Sequence, residues 1–120
     1  MNIRTEIKKI ENMIIDWRRD FHQYPELSFK EHRTGDVIAN ELRSMGLEPK
    51  INVGKTGVTA DLEFGDGPTI GLRADMDALP IQETSGLSFS SKNDGVMHAC
   101  GHDGHMAMLL GAAKVLTQKV

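Results

Sequence analysis

The sequence is poor in several features, and each shortage narrows what the protein can be. A single cysteine, Cys100, excludes an internal disulfide and is typical of a reducing compartment, so we expect a cytoplasmic location. The net charge is −3 and the sequence has no basic cluster, so its charge does not favour nucleic-acid binding. No apolar run approaches the length of a membrane span, and residues 1–6 lack the apolar core of a signal peptide. We therefore expect no membrane partner.

The 120 residues suffice for one small domain with a modest core, and 39% hydrophobic and 26% charged residues are ordinary for a globular protein. Three segments have helical character. Apolar residues spaced by three and four predict an amphipathic helix over about residues 3–23, which Pro25 ends. A second helix is expected over about 29–45, with Ser28 and Glu31 as a capping box and Gly46 after its last turn. A third, mostly apolar helix is expected over about 103–118.

Three short segments between these helices have β character: 48–53, 58–64 and 69–73. Glycine-bearing turns separate them, which predicts antiparallel hairpins. The last segment contains Thr69-Ile70-Gly71-Leu72 and is expected to be the most deeply buried of the three. Together the segments predict an α/β fold, with helices packed on a partial mixed sheet.

The stretch Met97–Ala107 contains three of the five histidines and the only cysteine. Cys100 and His102 are two residues apart, and thiolate and imidazole are both good ligands for zinc-like ions. Two ligands make only half a site, so a solvated loop with a buried thiol remains an alternative on spacing alone. His98 and His105 flank the pair without a defined role.

Polar residues elsewhere have weaker signals. Asp75 and Asp77 follow the third predicted strand, where loops often carry function, and turn chemistry ahead of Pro80 explains them equally well. His22, Glu26 and His32 lie near a bend, and capping or surface hydrogen bonding is a better interpretation for them than catalysis.

Three stretches together resemble one family. They are Arg18-Arg19-Asp20-Phe21-His22-Gln23-Tyr24-Pro25-Glu26-Leu27, Gly71-Leu72-Arg73-Ala74-Asp75-Met76-Asp77-Ala78-Leu79-Pro80-Ile81, and Met97–Ala107. The combination is similar to the amidohydrolase branch of the aminoacylase/carboxypeptidase metallopeptidases. That branch includes hippurate hydrolases, N-acyl-amino-acid amidohydrolases, N-acetyldiaminopimelate deacetylases and auxin-conjugate hydrolases.

The resemblance implies hydrolysis of an N-acyl amino acid or small peptide at two divalent transition metals, with zinc, manganese, cobalt or nickel all plausible. It implies that Cys100 stands where related carboxypeptidases have a metal-bridging aspartate, and that His102 binds one metal. It gives Asp77 a supporting role in orienting a ligand. Asp75 stands where those relatives have a ligand histidine, so no ligand role is carried over to it.

In the family the general base is the first residue of a Glu-Glu pair, and this sequence contains no such pair. We therefore expect residues 1–120 to be the N-terminal portion of a zinc-peptidase-like catalytic domain, without the rest of that domain or the family's dimerisation domain. The isolated chain is expected to be inactive and to form a homo-oligomer or need a complementary C-terminal part. A non-catalytic metal-binding or partner-binding remnant is the first alternative. A cysteine hydrolase that uses Cys100 with His102 or His105 is the second.

Overall fold

The computed structural model describes residues 1–119. Three helices come first, then a β-hairpin, then a long segment without helix or strand, and finally a fourth helix. The elements are α1 (Ile3–Lys9), α2 (Glu11–Gln23), α3 (His32–Ser44), β1 (Lys50–Val53), β2 (Gly57–Thr59) and α4 (His102–Thr117). The predicted α/β class is confirmed by this combination of packed helices and a small sheet.

The core lies where α2, α3 and α4 meet. Its buried members are Trp17 and Phe21 from α2, Leu42 from α3, and Met106, Ala107 and Leu110 from α4. Burying each of the larger side chains contributes roughly 1.5–3 kcal/mol relative to exposure. Packing between α2 and α4 therefore fixes where the first turn of α4 lies.

The helix predicted over about 3–23 is interrupted at Ile10, whose φ of −114° and ψ of 13° are not helical. Asn2 caps α1 by accepting a hydrogen bond from the amide of Thr5 at 3.2 Å. The apolar spacing continues across Ile10, so this pattern does not indicate the break. Ile10 itself is buried, whereas α1 contains no buried residue.

The start of α3 differs from the predicted capping box. Ser28 is exposed and makes no capping bond, and the helix begins at His32. Glu26 caps it instead: its carboxylate accepts hydrogen bonds from the amides of Arg33 at 3.1 Å and Thr34 at 2.6 Å. The predicted end is confirmed, because Gly46 has a left-handed φ of +86°, which glycine adopts without steric cost.

The first two β segments form the expected antiparallel hairpin, with Lys50 opposite Thr59 and Val53 opposite Gly57. The third prediction was wrong. Residues 69–73 pair with no strand among residues 1–119, and Ile70 and Leu72 are 82% and 61% exposed rather than deeply buried. A strand obtains its hydrogen bonds from neighbours, and the described part of the chain supplies none to this segment.

The segment after residue 73 is held by isolated backbone pairings. The Ala78 amide donates to the carbonyl of Glu26 at 2.8 Å. Leu79 and Met97 exchange two backbone hydrogen bonds of 2.9 and 3.0 Å. These contacts bring the carboxylate-bearing segment beside the start of α4. No helix within residues 1–119 has the length and apolar character needed to cross a membrane.

Candidate metal centre

The turn before α4 depends on Gly101. Its φ of +109° and ψ of 8° lie in the left-handed region, where a Cβ would be strained. Its carbonyl accepts a hydrogen bond from the amide of His105 at 3.1 Å, which closes the first turn of the helix. The turn places Cys100 just before α4 and His102 at its first residue, as the sequence predicts.

The His102 ring is held by Asp77. Its Nδ1 lies 2.9 Å from the backbone carbonyl oxygen of Asp77 and 3.1 Å from that residue's Oδ1. A carbonyl oxygen only accepts, so Nδ1 carries the hydrogen and donates. In the neutral ring Nε2 then has a free lone pair, which is the form in which histidine binds a metal.

The other residues predicted for this site differ in how they lie relative to His102 and Asp77. Asp75 lies on the Nε2 side of His102, with its Oδ2 3.8 Å from that nitrogen, and its Oδ1 pairs with Arg73 at 2.5 Å. The thiol of Cys100 is exposed and makes no hydrogen bond with residues 1–119. His105 is exposed, with its ring centroid 6.0 Å from that of His102.

His98 differs from its neighbours because it is only 4% exposed, and neither ring nitrogen has a hydrogen-bond partner among residues 1–119. Burial lowers the pKa of His98 below its usual value, since the apolar surroundings disfavour the charged ring. His98 is therefore expected to be neutral near pH 7.

The donor chemistry at the start of α4 fits a transition metal, but the number of donors does not complete a site. No group of three or more histidine, cysteine, aspartate or glutamate side chains within residues 1–119 is arranged to hold a metal ion. Cys100 and His102 would be the ligands, and Asp77 would orient the histidine, as carboxylates commonly do for metal-bound imidazoles. Their metal roles stay predictions.

Sequence reasoning missed a buried polar cluster next to this centre. His22 was predicted to lie in a surface bend, whereas it is 2% exposed. Its Nδ1 lies 2.7 Å from Oδ2 of Asp103, and its Nε2 lies 3.0 Å from Oε1 of Glu83. Arg18 also contacts Oδ2 of Asp103, with its Nε at 3.0 Å. The sequence signal was the position of His22 one residue after the core residue Phe21, near the buried end of α2.

The capping interpretation is confirmed for Glu26, and His32 lies at the surface. Neither contacts the candidate metal centre.

Residues 71–119 match the family model described as Peptidase family M20/M25/M40. The chain is 48% identical over 118 residues to the N-acyl-L-amino acid amidohydrolase of Geobacillus stearothermophilus, a match that covers 97% of this chain and 32% of that protein. It is also 48% identical over 118 residues to thermostable carboxypeptidase 1 of Saccharolobus solfataricus, covering 97% of this chain and 30% of the relative.

One relative has a name from a different class of enzyme. A stretch of 108 residues is 53% identical to part of a Rhodococcus jostii protein named as glutamate–cysteine ligase 2-3, of which the chain covers 14%. The chain thus spans about a third or less of the length of each of these three curated relatives.

Comparison of the fold with solved structures also indicates similarity to the M20 family. The crystal structure of the Bacillus subtilis YXEP protein, described as a dinuclear metal binding peptidase from the M20 family, superposes with a TM-score of 0.88 at 47% identity. The superposition covers 93% of this chain and 32% of that one. The family model, the relatives and the superposed structure agree: this chain is similar to about a third of the length of peptidase family M20 proteins.

Proposed function

We propose that this chain contributes Cys100 and His102 to the two-metal centre of an amidohydrolase that cleaves the amide bond of N-acyl amino acids or small peptides. The observation that carries the proposal is the His102 ring, whose Nδ1 is engaged by Asp77 while Nε2 remains available; Cys100, two residues earlier in the chain, is exposed. When bound, divalent metals supply polarisation of the amide carbonyl and a lowered pKa of the attacking water.

The substrate class is supported by what the relatives are named for. Besides the two described above, they include a hippurate hydrolase of Campylobacter jejuni and an N-acetyl-L-cysteine deacetylase of Bacillus subtilis. Each of these names implies cleavage of an acyl group from an amino acid. The ligase name carries less weight for this chain, because the match covers only 14% of that protein.

The chain needs further residues for this reaction. A proton must pass from the attacking water to the leaving amine, and the sequence has no Glu-Glu pair to supply the family's base. Two metals also need more ligands than the two candidates offered here.

We propose that the partner in this site is a complementary C-terminal part of the same kind of protein, or a second copy of this chain. Residues 69–73 support this proposal, because they expose Ile70 and Leu72 and have no neighbouring strand among residues 1–119. An unpaired apolar edge of this kind is a template for added strands. Analytical ultracentrifugation of the chain should therefore show self-association, or a shift on adding a polypeptide of the missing length from a relative. A chain that stays monomeric and does not bind that polypeptide would contradict the partner proposal.

Metal titration tests the ligand assignment. The wild-type chain should bind Zn²⁺ or Co²⁺ weakly, since only two protein ligands are present, and Cys100→Ser and His102→Ala should each abolish binding. Co²⁺ adds a spectroscopic readout, because a bound thiolate gives a charge-transfer absorption that Cys100→Ser removes. Unchanged binding in both variants would show that the ligand assignment is wrong.

A non-catalytic metal-binding or partner-binding role is the second candidate for the isolated chain, favoured by the incomplete donor set. An assay with N-acetyl and N-benzoyl amino acids separates the two. We expect no turnover by the chain alone, and chelator-sensitive turnover once the missing part is supplied. Persistent inactivity of that reconstituted, metal-loaded assembly would favour the non-catalytic role.

The geometry argues against the cysteine hydrolase. A nucleophile and its base need to approach hydrogen-bond distance, and Cys100 makes no hydrogen bond with either histidine. Nδ1 of His102 is already engaged by Asp77. Alkylation of the thiol in the metal-bound form should be slow, whereas a free nucleophilic thiolate would react quickly.

A further inference from the structure

The buried cluster around His22 touches the two chain segments that together form the His102–Asp77 contact. One of its carboxylates, Asp103, directly follows His102 in the first turn of α4. The other, Glu83, lies six residues after Asp77 in the segment that carries it. His22 is hydrogen-bonded to both, at 2.7 Å and 3.0 Å.

The two hydrogen bonds of His22 place its ring between two carboxyl groups. Nδ1 of His22 faces Asp103 and Nε2 faces Glu83, so the ring bridges the two carboxyl groups. The guanidinium of Arg18 lies against the same oxygen of Asp103. The side chains of His22, Asp103 and Glu83 are almost fully buried, and the ring of Phe89 packs edge-on against His22 with centroids 5.7 Å apart. Removing one member leaves buried polar groups without their hydrogen-bond partner.

The backbone pairing of Leu79 with Met97 also joins the two segments, but it lies away from the ligand itself. Asp77 is two residues before Leu79, and His102 is five residues after Met97. Side chains of α2 contact the first turn of α4 directly, at Asp103. Asp103, which is 1% exposed, is the residue of that turn most tightly engaged by α2.

We propose that His22 is a positioning residue of the metal centre: by bonding Asp103 and Glu83 together, it holds His102 against Asp77 with Nε2 available to a metal. This rests on the proposed function only in assigning that metal to His102. His22 itself does not touch the candidate ligands, and its effect passes through Asp103 and Glu83.

The test compares three single variants of the 120-residue chain. His22→Gln removes the ring that bridges Asp103 and Glu83, and Glu83→Gln keeps the shape of its side chain but removes its charge. Glu31→Gln is the matched control, because Glu31 is also a buried carboxylate with a side-chain partner, Thr56, at 2.5 Å, in a contact between α3 and the hairpin turn. Urea unfolding measures the general loss of stability for each variant.

The first readout is the pair of ¹⁵N chemical shifts of the His102 ring in the metal-free chain, at one mildly alkaline pH. Wild type and Glu31→Gln should show Nδ1 protonated, and His22→Gln should shift towards a mixture of both tautomers. The second readout is Co²⁺ affinity, which His22→Gln should lower by about 10-fold or more, as removal of supporting partners commonly does. Glu83→Gln should change both readouts in the same direction and to a smaller extent.

Unchanged ring shifts and Co²⁺ affinity within about twofold of wild type in a folded His22→Gln chain would overturn the proposal. If His22→Gln does not fold, Glu83→Gln decides by the same criteria. Failure of the wild-type chain to bind Co²⁺ would contradict the metal assignment of Cys100 and His102, and the ring shifts alone would then decide the role of His22.

Discussion

Nδ1 of His102 is 2.9 Å from the main-chain oxygen of Asp77 and 3.1 Å from that residue's side-chain oxygen. The ring therefore has one acceptor that mutation of Asp77 cannot remove and one that it can. The main-chain oxygen is therefore enough to orient the ring, whereas the side-chain carboxylate also supplies a charge that increases the basicity of the imidazole.

Changing Asp77 to asparagine should lower Co²⁺ affinity by a few fold, because the main-chain oxygen still selects the tautomer while the negative charge is lost. Asp75→Asn is the matched variant, since Asp75 is the other carboxylate of the pair and contacts Arg73 rather than Nδ1. Spectroscopic titration with Co²⁺ should give a smaller loss for Asp75→Asn. A larger loss there would mean that Asp75 is itself a ligand.

His105→Ala should retain more metal affinity than His102→Ala. The side chain of His105 is exposed and has no carboxylate partner among residues 1–119, whereas His102 is oriented by Asp77. Calorimetric titration with Zn²⁺ measures both variants under the same conditions. The reverse order would show that His105, rather than His102, is the ligand in this loop.

Glu83 should make the protein sensitive to acid. Burial acts to raise the pKa of this carboxyl, but hydrogen bonds from Ser85, the Ser91 amide and His22 outweigh it and lower the pKa from 4.5 to about 2. A carboxyl with a lowered folded-state pKa stabilises the protein above its ordinary pKa. That contribution is lost as the pH falls from about 4.5 to about 2.

Glu83→Gln cannot titrate, so the free energy of unfolding of this variant should depend less on pH in that interval. Urea unfolding at several pH values measures the difference between wild type and variant. If the difference in unfolding free energy between wild type and Glu83→Gln stays the same from about pH 6 to about pH 2, the carboxyl is not held in its ionised form.

Glu26→Ala should destabilise the chain by about 0.5–2 kcal/mol, the usual cost of losing a helix cap. Both carboxylate oxygens are engaged, one with the Arg33 amide and one with the Thr34 amide, so Glu26→Gln should retain part of the effect. Glu48→Ala, at an exposed position outside the helices, is the control and should change stability little. Equal effects of Glu26→Ala and Glu48→Ala in urea unfolding would rule out the cap.

Gly111 tests the contact between α2 and α4. A Cβ built at Gly111 would lie 2.9 Å from Cδ1 and 3.2 Å from Cγ1 of Ile14, which is too close without movement. Gly111→Ala should therefore be destabilising in wild type, although alanine is preferred over glycine in helices by about 1 kcal/mol.

In an Ile14→Val background, which lacks Cδ1, Gly111→Ala should become neutral or stabilising. The coupling between the two substitutions is the quantity of interest and comes from a double-mutant cycle in urea. Simple additivity would mean that the two helices are further apart at this point than the structure has them.

The sequence predicted the elements that depend on local chemistry. The end of α3 at Gly46 follows from the left-handed conformation that glycine tolerates, and the hairpin follows from its glycine-bearing turn. The His102 loop followed from ligand chemistry and family resemblance.

What the sequence did not predict depends on contacts between distant residues. Glu26 displaced Ser28 as the cap of α3 because the bend brings its carboxylate to the free amides, which no local motif encodes. His22 was placed at the surface because its partners lie 61 and 81 residues away along the chain. The segment 69–73 has the residue types of a buried strand, but burial and pairing require neighbours, and the described residues provide none.

The interruption at Ile10 has a consequence for local motion. Because α1 buries no side chain of its own, opening this helix exposes little apolar surface and requires only the loss of its cap and of the ion pairs that Glu6 makes with Lys9 and Lys119. Its amides should then exchange with deuterium through local opening, well before those of α2, whose exchange needs the core to separate. A probe attached to α1 would consequently report fraying at the surface and remain insensitive to whether the metal centre is formed.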